Sequence, residues 1–203
     1  MITVINYGVG NLGSVMNMFK KINVEAQLST SIDDIKNAKK LLLPGIGSFD
    51  IAMQKLISTG YLPYLNQKVM EEKVPTLGIC LGMQLMTNGS EEGTHKGLGW
   101  FDAETVKFNL DTNIYKIPHM GWNDVFLKQA NNTLTANLPV EPRFYFCHSY
   151  FVKCKNDNEQ MLTCNYGNEF TCGINNENIY GVQFHPEKSH KYGMQLLKNF
   201  STL

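Results

Sequence analysis

The chain has 203 residues, enough for one well-buried domain and short for two. Its 18 basic and 18 acidic side chains cancel, which removes any bulk attraction to nucleic acid or an anionic membrane, and 43% hydrophobic residues is ordinary for a globular protein. Arg143 is the only arginine, which argues against a surface built to clamp phosphates bidentately.

No run approaches the roughly 18 uninterrupted apolar residues of a membrane-spanning helix. The opening stretch MITVINYGVG has neither the basic start nor the small-residue cleavage site of a secretory signal. Cys80, Cys147, Cys154, Cys164 and Cys172 are odd in number and never form C-x-x-C, so neither a disulfide framework nor a zinc site is indicated. The expectation is a cytoplasmic protein with reduced thiols, no metal and no cofactor, folded as one domain over residues 1–203.

In chain order, ITVIN (2–6) reads as a buried strand and NLGSVMNMFKKI (11–22) as a helix with apolar residues at helical spacing. A second strand is expected at EAQLS (25–29), a short helix capped by Ser31 at SIDDIKNA (31–38), and a third strand at KLLLPG (40–45) running into a Pro-Gly loop. FDIAMQKLISTGYLPYLNQKVMEE (49–72) is helical, broken by Gly60 and Pro63. VPTLGIC (74–80) is a strand, and LGMQLMT (81–87) begins a helix at once. Strands alternating with helices imply a parallel sheet covered on both faces. From about residue 98 to 172, short strand-like runs such as ETVKF, RFYFCHSYFVKC and EQMLTCNYG are separated by Asn, Asp and Gly, which reads as antiparallel pairing. NIYGVQF and HKYGMQLLKNF close the chain as a strand and a helix. The expected fold is α/β, a three-layer sandwich whose mostly parallel central sheet is flanked by helices, with antiparallel strands in the second half.

The segment TLGICLGMQ (76–84) carries the clearest chemistry. Cys80 lies where a strand passes directly into a helix, between Gly78 and Gly82, in a G-x-C-x-G elbow too tight for bulky neighbours. A sulfur at a helix N-terminus is stabilised as thiolate, and the Leu81 N–H becomes an oxyanion donor. The alternative is a buried, inert cysteine filling the sheet end. A nucleophile needs a base and the base an orienting group. YGVQFHPEKS (180–189) offers both: Pro186 biases His185 towards extended backbone, in which residues 185 and 187 project to one side, setting Glu187 beside His185. A solvated H-P-E-K surface turn is the competing reading. Both segments end strands of one parallel sheet, at the edge where such folds bind ligands. A third loop at that edge, LPGIGSFD (43–50), has Gly45 and Gly47 bracketing Ile46, leaving backbone N–H groups free for a second oxyanion position; a plain β-turn is its alternative.

These motifs, with NYGVGNLGSV (6–15), PHMGWN (118–123) and FYFCHSYF (144–151), cover nearly the whole chain, and it resembles the class I (triad-type) glutamine amidotransferases. The elbow and HPEKS mark the class; the glycine-rich opening and PHMGWN mark the branch that serves histidine biosynthesis. The resemblance implies that Cys80 attacks the glutamine side-chain amide, that His185 shuttles the proton and that Glu187 holds the imidazole. It implies an oxyanion hole from Leu81 and the Ile46–Gly47 loop. Gly45, Gly47, Gln84, Glu92, Ser149 and Tyr150 match substrate-binding positions. Ammonia then passes to a (β/α)8-barrel cyclase partner that makes imidazole glycerol phosphate. Asn11, His119, Met120, Trp122 and Lys188 match positions at or near that interface, although Met120 and Trp122 also suit a core and Lys188 a solvated surface.

Three other readings stay open: a paralogous amidotransferase feeding another synthase, such as one in surface-glycan synthesis; a non-catalytic binding domain on the same fold; and a solitary cysteine peptidase or γ-glutamyl hydrolase. Cys147 stands where the family pattern carries an apolar residue. Gly8, Gly10 and Gly13 spell the dinucleotide pattern G-x-G-x-x-G, but the strand at EAQLSTS does not end in the acidic residue that would hold a ribose. The glycines are expected to keep the first turn flat beside the active site, leaving Asn11 to a partner.

Overall fold

The computed structural model describes residues 1–203. Apolar alternation builds the sheet from the first residues: β1 (Ile2–Val4) is followed by α1 (Leu12–Lys21), β2 (Ala26–Leu28), α2 (Ile32–Lys36), β3 (Leu41–Leu43) and α3 (Phe49–Ser58). Then come α4 (Leu62–Asn66), which continues into a π-helical turn, β4 (Thr76–Ile79) and α5 (Leu81–Leu85). The helix over 49–72 is interrupted as expected, with α3 ending at Ser58 and α4 starting at Leu62, and Pro63 sits in the first turn of α4, where its missing N–H is unneeded.

The second half supplies β5 (Ala103–Lys107), β6 (His119–Leu127), β7 (Arg143–His148), β8 (Tyr150–Cys154), β9 (Gln160–Tyr166), β10 (Asn168–Asn176), β11 (Ile179–Val182) and α6 (His190–Thr202). The strand order is β2-β1-β3-β4-β11-β10-β9-β6-β7, with β5 and β8 attached alongside β10. Pairings from β2 to β11 are parallel, and those of β10 with β11, β9 and β8, of β6 with β9 and β7, and of β5 with β8 are antiparallel. This is the fold class expected from the sequence.

Alternate residues of the parallel strands feed opposite faces, as a period of two requires. Leu42, Leu77 and Ile79 join Val15, Phe19, Leu196 and Phe200 under α1 and α6, whereas Leu41 and Leu43 join Ile35, Phe49, Leu56 and Leu65 under α2, α3 and α4. Two expectations need correction. RFYFCHSYFVKC is not one strand: it bends at Ser149, so β7 pairs with β6 while β8 pairs with β5 and β10. PHMGWN, read only as a motif, enters the nine-residue strand β6. Its alternation is masked because the exposed side carries Met120, Trp122 and Phe126.

Candidate active site

β4 runs into α5 through Cys80 alone, and that residue holds φ +53°, ψ −110°, a conformation costly for any side-chain-bearing residue. Glycine spacing makes the turn possible. A Cβ on Gly82 would lie 1.9 Å from the Leu43 carbonyl oxygen, one on Gly78 2.8 Å from the Gly82 backbone, and one on Gly45 2.9 Å from the Gly82 nitrogen. Gly45 is therefore needed for close packing against the elbow, a different part from the substrate contact expected of it. Leu81 is the first residue of α5, so its N–H is one of the donors a helix start leaves unpaired.

β11 lies beside β4 with Val182 opposite Ile79, and the Cys80 N–H donates to the Val182 carbonyl at 2.8 Å. That register brings His185 to the elbow. The His185–Glu187 pairing holds, Nδ1 to Oε1 at 2.8 Å with both side chains buried; His185 is extended as expected (φ −103°, ψ 94°), but the residues after it are not. Pro186–Lys188 is a 3₁₀ turn that folds the carboxylate back onto the ring. The turn is clamped by Ser189, whose hydroxyl donates to the His185 carbonyl at 2.6 Å and accepts the Tyr145 N–H at 3.0 Å.

Burial alone would depress the His185 pKa, yet the neighbouring Cys80 sulfur and the Glu187 carboxylate outweigh it and raise it to about 10. A histidine whose folded pKa exceeds its unfolded value stabilises the fold below the unfolded value and loses that contribution as pH climbs through the folded one. Stability is thus expected to fall between about pH 6.5 and 10 in urea titrations. In His185→Gln this slope should flatten; an unchanged slope would refute the assignment.

Cys80 and His185 open into a cavity of about 350 Å³ that Ile46, Gly47, Leu81, Gln84, Glu92, Ser149 and Tyr150 also line, together with Cys147, His148 and Lys188. Most of the sequence-predicted substrate residues thus meet at one site. Gly47 holds φ +103°, which favours glycine there. Glu92 faces the cavity with Oε2 already accepting the Phe49 N–H at 2.9 Å. Cys147, which stands where the family pattern carries an apolar residue, is half-buried on this wall. A larger, open groove of about 910 Å³ lies between β5, β8, β9 and β10, but it contains neither Cys80 nor His185.

Three contributors escaped the sequence reading. Gln183, fully buried, points its Nε2 at the Cys80 sulfur (3.7 Å) and accepts from Gln84 Nε2 at 3.1 Å. Tyr7 donates its hydroxyl to the Pro44 carbonyl at 2.6 Å, pinning the loop that carries Ile46 and Gly47. Burial, then the charge of Cys80, pushes the Tyr7 pKa up. Asp50 accepts the backbone N–H groups of Thr94 (2.9 Å) and His95 (2.9 Å), tethering the Glu92 loop to α3; these bonds hold its pKa down at about 2. The signal for Gln183 was available: it sits one alternation before His185 on the strand end.

The expected interface residues divide. Met120 is 60% exposed and Trp122 39%, and Trp122 stacks on His190 at 5.5 Å. Lys188 is exposed, its Nζ 5.5 Å above the Tyr145 ring. Asn11 is exposed, but its side-chain oxygen caps α1 by accepting the Ser14 N–H at 3.2 Å. His119 is a correction: at 3% exposure it is buried among aromatic rings, because β6 turns its even-numbered and odd-numbered side chains to opposite sides.

No helix is long and apolar enough to cross a membrane. The sequence matches the family described as glutamine amidotransferase class-I over residues 3–202. It is 54% identical to the imidazole glycerol phosphate synthase subunit HisH 2 of Methanococcus maripaludis, over 98% of each chain. It is 47% identical to the subunit HisH 2 of Pseudomonas aeruginosa over the full length of both, and 44% identical to HisH 1 of Campylobacter jejuni, again full-length. Among solved structures, PurLQS from Thermotoga maritima superposes with a TM-score of 0.75 at 16% identity, over 99% of this chain and 97% of that one, a likeness of fold. A structure titled glutamine amidotransferase gives 0.75 at 14% identity over all of both chains. With the elbow, the imidazole–carboxylate pair and the cavity between them, these likenesses make the chain a member of the class I glutamine amidotransferases, in the HisH branch of imidazole glycerol phosphate synthase subunits.

Proposed function

We propose that this chain hydrolyses L-glutamine to glutamate and ammonia through Cys80, His185 and Glu187. The observation that carries the reading is a strained cysteine at a strand–helix elbow, opening into the same cavity as a buried histidine whose Nδ1 lies 2.8 Å from a buried carboxylate. The Cys80 sulfur adds to the side-chain amide carbon, and the oxyanion forms beside the Leu81 N–H and those of the Ile46–Gly47 loop. His185 gives its proton to the leaving nitrogen, so ammonia departs and a γ-glutamyl thioester remains. Water then adds while His185 takes its proton, and breakdown releases glutamate and the thiolate. Glu187 keeps the Nδ1 proton of His185 in place, so that Nε2 does the transfer. Gln84, Glu92, Ser149 and Tyr150 hold the substrate.

The ammonia acceptor is bound elsewhere. The exposed face of Met120, Trp122, Lys188 and Asn11 is the docking surface for a (β/α)8-barrel cyclase, which uses ammonia on a phosphoribosyl intermediate to form imidazole glycerol phosphate. A single arginine and a balanced charge fit a chain whose partner binds the phosphates. Five free cysteines suit work in a reducing cytoplasm. A second reading, a paralogous subunit feeding another synthase, draws support from relatives whose names carry a second HisH number.

The deciding experiment is glutaminase turnover of the chain alone, with the cognate barrel subunit, and with the phosphoribosyl acceptor added. Turnover should be low alone and rise at least about tenfold in the loaded complex. Full activity without a partner would show that the partner does not activate this site, and a complex inert towards the acceptor would favour the second reading. Trp122→Ala should weaken the complex about tenfold, as loss of an aromatic anchor does.

A further inference from the structure

His119 and His148 are buried, outside the triad, and joined by a contact of 3.1 Å between His119 Nδ1 and His148 Nε2. Their proton positions follow from both ends. His148 Nδ1 lies 2.7 Å from the Tyr150 carbonyl oxygen, which can only accept, so Nδ1 carries a hydrogen. At the other end Asn123 is oriented by two bonds of its own: its Oδ1 accepts the Asp124 N–H at 2.9 Å and its Nδ2 donates to the Asn165 carbonyl at 2.9 Å. The Nδ2 is therefore also the donor to His119 Nε2 at 3.3 Å, which leaves the His119 hydrogen on Nδ1, aimed at His148 Nε2.

Beyond His148 the chain of donors continues. The Tyr150 carbonyl also accepts from Gln84 Nε2 at 3.1 Å. The same amide donates to Gln183 Oε1 at 3.1 Å, and Gln183 Nε2 in turn donates to the Cys80 sulfur at 3.7 Å. We propose that His119 and His148 are positioning residues, both neutral with the proton on Nδ1, which fix the Tyr150 carbonyl and, through Gln84 and Gln183, aim an N–H at the Cys80 sulfur. That N–H donates directly to the sulfur that attacks the amide. Burial keeps both rings neutral, lowering the pKa of His148 to about 3 and of His119 to about 4, so no second cation competes with His185. The network also ties β6, the strand bearing Met120 and Trp122, to the wall of the cavity.

The inference rests on Cys80 being the glutaminase nucleophile. Histidine 15N spectra of the full-length chain at pH 7 should show both rings neutral with Nδ1 protonated; an Nε2–H tautomer or a cation at either ring overturns it. Alkylation of Cys80 by iodoacetamide should slow about tenfold in Gln183→Leu and in His148→Leu, the fold-change of losing one hydrogen bond to an ionised group. It should stay within about twofold of wild type in His148→Asn, whose amide nitrogen replaces Nδ1 as donor. In the complex, His148→Leu should raise the KM for glutamine about tenfold with a smaller change in kcat. Equal alkylation rates in all three variants overturn the proposal. Should the wild-type complex hydrolyse no glutamine, the functional reading fails, while tautomers and alkylation rates still decide this one.

Discussion

Cys80→Ala should abolish glutamine hydrolysis, lowering turnover by at least about a thousandfold, the scale of losing a covalent nucleophile. Neither His185 nor the oxyanion donors can replace the sulfur, because the thioester is the intermediate that divides the reaction. Stability should change by no more than about 2 kcal/mol, since the substitution removes one atom from a residue that already borders a cavity. The backbone strain at φ +53° is the same for alanine as for cysteine, so the elbow itself should persist. Glutamate release in the loaded complex, with circular dichroism as a control for folding, makes the comparison. Turnover above about a tenth of wild type would remove Cys80 from the mechanism.

Gly82→Ala should be the more damaging change to the fold. The added methyl would meet the Leu43 carbonyl oxygen at 1.9 Å and the Leu43 carbonyl carbon at 2.8 Å, both backbone atoms of β3. No rotamer relieves such a contact; α5 must move away from the sheet. A loss of about 3 kcal/mol in urea unfolding is expected, the upper end of overpacking, and activity should fall with it because Leu81 moves too. Gly13→Ala is the matched control. Gly13 is exposed in the first turn of α1 with nothing within 4 Å of a Cβ, so alanine should stabilise by about 0.5 to 1 kcal/mol through helix propensity. Equal effects at the two positions would show that close packing is not what Gly82 provides.

The same contrast resolves the G-x-G-x-x-G pattern of the opening loop. Gly8 (φ +77°) and Gly10 (φ +104°) need their conformations, and a Cβ on Gly10 would press on Pro44 at 3.3 Å, against the loop of Ile46 and Gly47. Gly13 needs nothing. The spacing is real, but only its first two glycines do structural work.

What the sequence by itself determined is local. A tight strand–helix turn demands small residues beside Cys80, a short return to an imidazole demands an acid nearby, and alternating apolar runs demand a sheet with helices on its faces; each constraint spans a few residues and leaves a trace in spacing. Tertiary structure decided the rest, because register joins residues far apart in the chain. Gln183 reaches Cys80 across 103 positions and His119 reaches His148 across 29, and no local pattern encodes either contact. The bend at Ser149 follows from β7 and β8 having different partners, and the Glu187 pairing from a 3₁₀ turn that α6 closes over. Spacing can name the reacting groups, but the donors that orient them depend on which strands lie side by side.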